Sequence, residues 1–283
     1  MPDKLRYINA GGKLIDLSVP KIMGIINVTP DSFFSGSRYK TREEIIGAAA
    51  GMIRDGADII DVGGYSTRPG AEDVSAETEK KRLLEAVKLI KKEFPEAVIS
   101  VDTFRADVAQ EAVLDCGASI INDVAGGEAD PAMFGIIEKL NVPYVLTHMQ
   151  GTPRTMQVKP EYGNVVADVL KWLGQRIHRL RSAGVRDIIV DPGFGLGKSI
   201  DHNFEILRCL GDFRIAGLPV LAGVSRKSMI WKTLGISPEE SLNGTTVLNT
   251  VALLKGADII RVHDVKQAAE AIKLLSGMVD RIT

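Results

Sequence analysis

Apolar residues along this chain fall into short β-branched runs, separated by longer stretches in which they recur every three or four positions. Four segments repeat one order of signals: Gly56-Ala57-Asp58-Ile59-Ile60-Asp61, Gly117-Ala118-Ser119-Ile120-Ile121-Asn122, Gly184 through Ile188-Ile189-Val190-Asp191, and Gly256-Ala257-Asp258-Ile259-Ile260-Arg261. Glycine accepts the left-handed conformation that closes a helix, and the apolar run behind it reads as a buried strand. The repeated unit is therefore helix, glycine stop, short strand, polar residue. Four further runs, at 22–28, 98–101, 142–147 and 218–224, are bounded by charged, Gly or Pro residues and fit the strand half of the unit. Helical spacing lies between them, as in Leu83, Leu84, Val87 and Ile90, or Ala268, Ile272, Leu275 and Val279. Thr41 with Glu44, and Asp264 with Gln267, have capping-box spacing at helix starts.

Eight strands alternating with helices predict an α/β fold, a parallel sheet closed into a (β/α)8 TIM barrel spanning residues 1–283 as a single domain. Residues 1–20 precede the first barrel strand. Asn9-Ala10-Gly11-Gly12 reads as the turn of a short N-terminal β-hairpin, expected to cover the bottom of the barrel. An open doubly wound sheet is disfavoured because Ile26-Asn27-Val28-Thr29-Pro30 lacks the glycine fingerprint of dinucleotide binding. The segment Gly193-Phe194-Gly195-Leu196-Gly197-Lys198-Ser199 imitates a P-loop, but Pro192 stands where its first glycine belongs.

Composition narrows the partners. Lys plus Arg number 35 against 36 Asp plus Glu, so no basic field exists to hold nucleic acid, and small-molecule substrates are expected. Cys116 and Cys209 have no metal or redox spacing and read as buried hydrophobes in a reducing compartment. Asp3, Lys4 and Arg6 precede any apolar run and no run of about 18 apolar residues follows, so no membrane association and a cytoplasmic location are expected.

In a barrel of this kind chemistry sits where strands end and βα-loops begin. Those ends carry Asn27, Asp61, Asp102, Asn122, His148, Asp191, Lys227, and Arg261 with His263. A single strand-end Asp is more often a helix cap or ion-pair partner. Eight polar ends together are costly unless they meet one another or a ligand. Asp102, Asn122 and Asp191 suit a flat heterocycle with several N–H groups and acceptors. Asn27, Arg68, Arg261 and His263 suit an anion with room for a metal. The loops 29–37 and 63–70 are rich in glycine and hydroxyls, and Arg68 among Ser66 and Thr67 is well composed for phosphate; both loops are expected to act as lids.

Seven segments, in order, resemble the motifs of the dihydropteroate synthase family: Asn27-Val28-Thr29-Pro30-Asp31-Ser32-Phe33, Gly63-Gly64-Tyr65-Ser66-Thr67-Arg68-Pro69-Gly70, Val101-Asp102-Thr103, Ile121-Asn122-Asp123, Asp191-Pro192-Gly193, Ser225-Arg226-Lys227-Ser228 and Arg261-Val262-His263-Asp264. The resemblance implies a transferase of folate biosynthesis that joins p-aminobenzoate to a dihydropterin diphosphate and is a sulfonamide target. It implies pterin contacts from Asp102, Asn122, Met149, Asp191, Lys227 and Arg261. Diphosphate contacts would come from Asn27, Ser66, Thr67, Arg68, Arg261 and His263, with Asn27 ligating Mg²⁺. The aminobenzoate would meet Phe33, Thr67, Arg68, Pro69, Lys227 and Ser228, and Lys227, Arg261, Asp102 and Asp191 would carry the catalysis. It further implies a homodimer through helices on the far side of the barrel, for which Trp172, Trp231 and the apolar C-terminal helix are candidates. Ser35 stands where the family commonly has an acid, and Leu196 where it has an aromatic residue.

Other readings stay open at this stage. A pterin-dependent methyltransferase would explain the same carboxylates and amide but not Arg68 or the Arg261/His263 pair. Lys227 could serve as an aldolase Schiff-base lysine, and a non-catalytic pterin binder would be expected to have lost anion residues.

Overall fold

The computed structural model describes residues 7–28, 41–64, 75–152, 156 and 160–278. Its first strands, β1 (Tyr7–Ala10) and β2 (Lys13–Asp16), pair antiparallel across Gly11 and Gly12, whose φ values of 64° and 91° explain why glycine fills the turn. Alternation then puts Ile8, Ala10 and Ile15 on one buried face.

The remaining strands are β3 (Lys21–Asn27), β4 (Ile59–Gly63), β5 (Val98–Asp102), β6 (Ile120–Asp123), β7 (Tyr144–Thr147), β8 (Ile188–Asp191), β9 (Leu221–Ala222) and β10 (Ile259–Val262). They form one parallel sheet in the order β8-β7-β6-β5-β4-β3-β10-β9. Val190 N donates to Pro219 O at 2.8 Å and Val190 bridges Val220, bringing β8 beside the start of β9 and closing the ring. The expected barrel is thus present. Its seventh barrel strand is much shorter than the apolar run 218–224, because Val220 O is taken by the amides of Asp258 and Ile259 and its N by Asp258 Oδ2, leaving only two residues in ladder register.

Helices fill the connections: α1 (Arg42–Arg54), α2 (Ala76–Glu93), α3 (Ala106–Cys116), α4 (Met133–Leu140), α5 (Val165–Ser182), α6 (Ile200–Arg208), α7 (Ser228–Leu234), α8 (Leu242–Leu254) and α9 (Val265–Met278). The Thr41/Glu44 capping box forms at the start of α1. Gly56, Gly117, Gly184 and Gly256, the four stops of the repeated unit, all have φ between 78° and 102°. Leu83, Val87 and Ile90 on α2, with Ala268 and Leu275 on α9, bury against the outward faces of the strands. Cys116 is buried and Cys209 half-buried, and both are free thiols. Among the described residues no helix is long and apolar enough to cross a membrane.

The barrel interior is layered. One apolar residue from each of its eight strands, Met23, Ile59, Val98, Ile120, Val145, Ile189, Leu221 and Ile259, forms a cluster with Ile8, Ala10, Ile15 and Leu17 of the hairpin segment. The hairpin therefore plugs the amino-terminal end, as expected. Two residues further along a strand the same inward face is reached again, and there six of the eight strands carry polar side chains, Asp61, Ser100, Asn122, Thr147, Asp191 and Arg261, while the other two carry Ile25 and Gly223.

Candidate active site

At the carboxyl ends of the strands the polar layer closes into a network. Arg261 on β10 reaches across the barrel: its Nε donates to Asp61 Oδ2 on β4 at 2.6 Å and its Nη2 to Asp102 Oδ2 on β5 at 2.7 Å. Asn122 on β6 donates through Nδ2 to the same Asp61 oxygen at 3.0 Å. Burial works against the charge of Arg261, but Asp61 and Asp102 outweigh it and hold the guanidinium more firmly protonated than usual. Charge-assisted bonds of this length are the strong ones, and they fix the plane of the guanidinium.

Asp191, at the end of β8, is buried and accepts from Gly193 N at 2.7 Å. Burial raises its pKa, with Lys227 pulling the other way. Lys227 caps α7 in extended backbone and donates from Nζ to the Phe194 carbonyl. Burial brings its pKa down to about 8, with Asp191 opposing, so the ammonium form predominates at neutral pH. Ser228 is the first residue of α7, half-buried beside it.

His263 follows β10. Burial first, then Arg261, Arg226 and Lys227, lower its pKa to about 3, so the imidazole is neutral rather than the cation that an Arg/His anion cluster suggests. Ser225 Oγ accepts from His263 N at 3.2 Å and lies 3.0 Å from Nδ1. With the hydroxyl proton directed to Nδ1, the remaining ring proton sits on Nε2, and His263 offers a neutral donor.

Asn27 ends β3, with its amide oxygen and an Asp102 carboxylate oxygen lying 3.2 and 3.8 Å from where a Cβ on Gly63 would stand. A Cβ there would press on the Asn27 amide. Met149, in the loop after β7, packs in a small apolar patch with Val124, Ala125, Met156 and Leu196, and Phe104 borders it. Leu196 thus lines the same wall as Met149. Ser66, Thr67, Arg68, Pro69 and Phe33, together with Ser35, the first lid loop, residues 65–70 of the second and Val279, lie outside the described residues.

Some polar strand ends do not join the site. His148 turns toward the helices, edge-on to Trp172 of α5, with Nδ1 2.9 Å from Lys198 Nζ. Burial, then Lys198, takes its pKa to about 2. Lys198 is fully enclosed, its Nζ donating to the carbonyls of Gly193 at 2.9 Å and Leu196 at 3.0 Å. The glycine-rich P-loop imitation is therefore a turn pinned to the β7 loop by its own lysine, with no ammonium turned outward for phosphate. A Cβ on Gly193 would collide with the His148 carbonyl. Trp172, a candidate dimer residue, is half-buried, packed under the Arg176 guanidinium at 3.7 Å and over Gly126. Sequence reasoning gave Asp61 no role although it sits in register beside Ser100 on β5 and in phase with Ile59; that period-two phase was the available signal.

A parallel barrel that converges three carboxylates, an amide, a lysine and an arginine on the carboxyl ends of its strands is a small-molecule enzyme of the pterin-binding class, and residues 23–263 match the pterin binding enzyme family. The chain is 43% identical over 270 residues to the dihydropteroate synthase of Escherichia coli strain K12, covering 95% of both proteins. It superposes on the Yersinia pestis dihydropteroate synthase in complex with a sulfonamide drug with a TM-score of 0.92 at 38% identity, covering 96% of this chain and 98% of that one. The Xanthomonas albilineans enzyme in complex with 7,8-dihydropteroate gives a TM-score of 0.84 at 33% identity, covering 96% and 98%. The chain belongs to the dihydropteroate synthase family of transferases.

Proposed function

We propose that the carboxyl-terminal mouth of this barrel joins a dihydropterin to p-aminobenzoate, giving 7,8-dihydropteroate and diphosphate, with the whole chain acting as one pterin-binding domain. The observation that carries the reading is the Arg261 fork on Asp61 and Asp102 beside Asn122, Asp191 and Lys227. Asp102 and Asp191 accept from the N–H groups of the pterin ring, while Asn122 and Lys227 donate to its acceptors. Met149 and Arg261 lie against its face and edge. Arg68, Arg261 and neutral His263 donate to the diphosphate, with the hydroxyls of Ser66 and Thr67. The aminobenzoate meets Phe33, Thr67, Arg68, Pro69, Lys227 and Ser228.

An aromatic amine is uncharged and nucleophilic at neutral pH, so the reaction needs no strong base. The demanding event is loss of diphosphate from the pterin methylene: the C–O bond breaks, the C–N bond forms, and the surplus amine proton leaves to diphosphate or solvent. Donors fixed in advance on the leaving oxygens supply most of the acceleration. Asp102 and Asp191 favour positive charge on the ring while the methylene carbon is electron-poor.

Asn27 and the space over Gly63 fit Mg²⁺, which prefers oxygen ligands and keeps water or phosphate in its shell. Among the described residues no three His, Cys, Asp or Glu side chains are grouped to hold a metal alone, so the ion would share Asn27 with diphosphate oxygens. When bound, it would offset charge on the leaving group.

Exposed Leu234 on α7, Val247 and Leu254 on α8, and Leu274 and Met278 on α9 support a homodimer across these neighbouring helices, and the protein is proposed to work in the cytoplasm. The test mixes the protein with 6-hydroxymethyl-7,8-dihydropterin diphosphate, p-aminobenzoate and Mg²⁺ and follows both products. Equal release of diphosphate and dihydropteroate, cut about 10²–10³-fold in Arg261→Ala, is expected. Pterin binding without dihydropteroate would overturn the assignment.

A further inference from the structure

Asp61 lies in the same inward layer as Asn122 and Arg261, two residues past Ile59 of the apolar plug. It is fully buried, and both of those side chains bond to it. One of its oxygens takes two hydrogen bonds, from Arg261 Nε at 2.6 Å and from Asn122 Nδ2 at 3.0 Å. The two donors come from opposite arcs of the sheet, β10 and β6, which are not neighbours. Its other oxygen, Oδ1, has no hydrogen-bond partner among the described residues, and neither have Ser100 Oγ and Thr147 Oγ1, two further buried polar atoms on β5 and β7. Burying a carboxylate with half its capacity unused is expensive, so a purely packing role does not account for it.

We propose that Asp61 is a positioning residue: it holds Arg261 and Asn122 in place so that Asp102 can exchange its bond to Arg261 for one to the substrate. The inference rests on the proposed roles of Asp102, Asn122 and Arg261. Arg261 is held by two carboxylates. Asp102 is at the solvent-facing side of the pair, Asp61 at the closed side. A ring N–H that engages Asp102 competes with Arg261 Nη2 for it. With Asp61 present, Nε stays anchored and the guanidinium keeps its plane while the substrate enters. Without it, Arg261 would follow Asp102 or turn toward the diphosphate, and Asn122 would lose the acceptor that orients its amide. Asp61 touches neither substrate and acts wholly through these two side chains.

The test is a double-mutant cycle with Asp61→Asn, Arg261→Ala and the double variant, reading kcat and KM for each substrate, pterin affinity and the thermal midpoint. Asparagine keeps the shape and one acceptor oxygen while removing the charge. Misplacement by about an ångström can cost on the order of 10²-fold, so Asp61→Asn should lower kcat/KM for the pterin substrate about 10- to 100-fold. The KM for p-aminobenzoate should hold, and in the Arg261→Ala background, where only the bond from Asn122 remains to be lost, the same change should cost several-fold less. Equal losses in both backgrounds, or full activity in Asp61→Asn, would overturn the proposal. If Asp61→Asn does not fold, the same cycle is read with Asp61→Ser, which is smaller and neutral. Wild-type turnover is measured alongside. No wild-type dihydropteroate sinks the reading of the site itself, whereas wild-type turnover with additive losses sinks only the role of Asp61.

Discussion

The two ends of this barrel are built from the same strands, two residues apart, and they solve opposite problems. At the hairpin end eight inward residues are aliphatic and meet Ile8, Ala10, Ile15 and Leu17, so every strand start gains dry contact. At the other end the inward residues are carboxylates, amides and an arginine that satisfy one another incompletely, leaving Asp61 Oδ1, Ser100 Oγ and Thr147 Oγ1 without partners among the described residues. The apolar end supplies the stability that lets the polar end carry buried groups without partners, as barrels of this type divide their labour.

Substitutions should separate the two ends. The largest effect is expected for Arg261→Ala, which removes the cation shared by Asp61 and Asp102. Loss of one such donor costs about 10²–10³-fold in kcat, and stranding two carboxylates costs several kcal/mol of stability more, about 3–5 by the behaviour of broken buried pairs. Steady-state kinetics and urea unfolding read both, and a variant that keeps near-normal turnover would refute the centrality of the fork.

At the plug, Ile189→Ala should cost about 2–5 kcal/mol in urea unfolding through the cavity it leaves. Turnover per folded molecule at low temperature should stay within about twofold. A plug variant that loses activity without losing stability would break the comparison.

A smaller effect is expected where the polar end is fixed rather than reactive. Lys198→Met keeps length but strands the carbonyls of Gly193 and Leu196, each loss worth about 1–3 kcal/mol. The loop holding Asp191 and Phe194 should loosen, seen as faster amide hydrogen exchange over 192–198 and a raised pterin KM. Unchanged exchange there would rule out a pinning role.

The smallest effect is a pH dependence. Lys227, lowered to about 8, donates to substrate only when protonated, so kcat/KM for the pterin should fall roughly tenfold between pH 7 and 9. Stability should move oppositely. The folded-state pKa lies below the ordinary lysine value, so the contribution of this group is present above the unfolded pKa and lost as pH falls through about 8. Lys227→Arg should shift the activity limb to higher pH; a limb that stays at 8 would assign it to another group.

The barrel was legible because its signals are local. Gly256 before Ile259-Ile260, or Leu83, Val87 and Ile90 on one helical face, announce element type within a few residues. Asp102, Asn122, Asp191 and Arg261 were legible as strand-end polar residues. The direction of His148 was not legible, because nothing local says that Lys198, fifty residues away, will draw the histidine against the helical layer. Leu221 and Ala222 form so short a strand because Asp258 competes for Val220 from another part of the chain.

The period of the apolar residues is written in the chain, and with it eight strand-and-helix units and the chemical types available at their ends. Which of those groups meet is set by the folded barrel. The closure of the ring brings Arg261 onto Asp61, 200 residues earlier in the chain, and onto Asp102. Burial then makes His263 a neutral donor and brings Lys227 to about 8. Hydrogen-bond distance and desolvation depend on which atoms share a closed space, and that is a property of the folded barrel rather than of any stretch of chain.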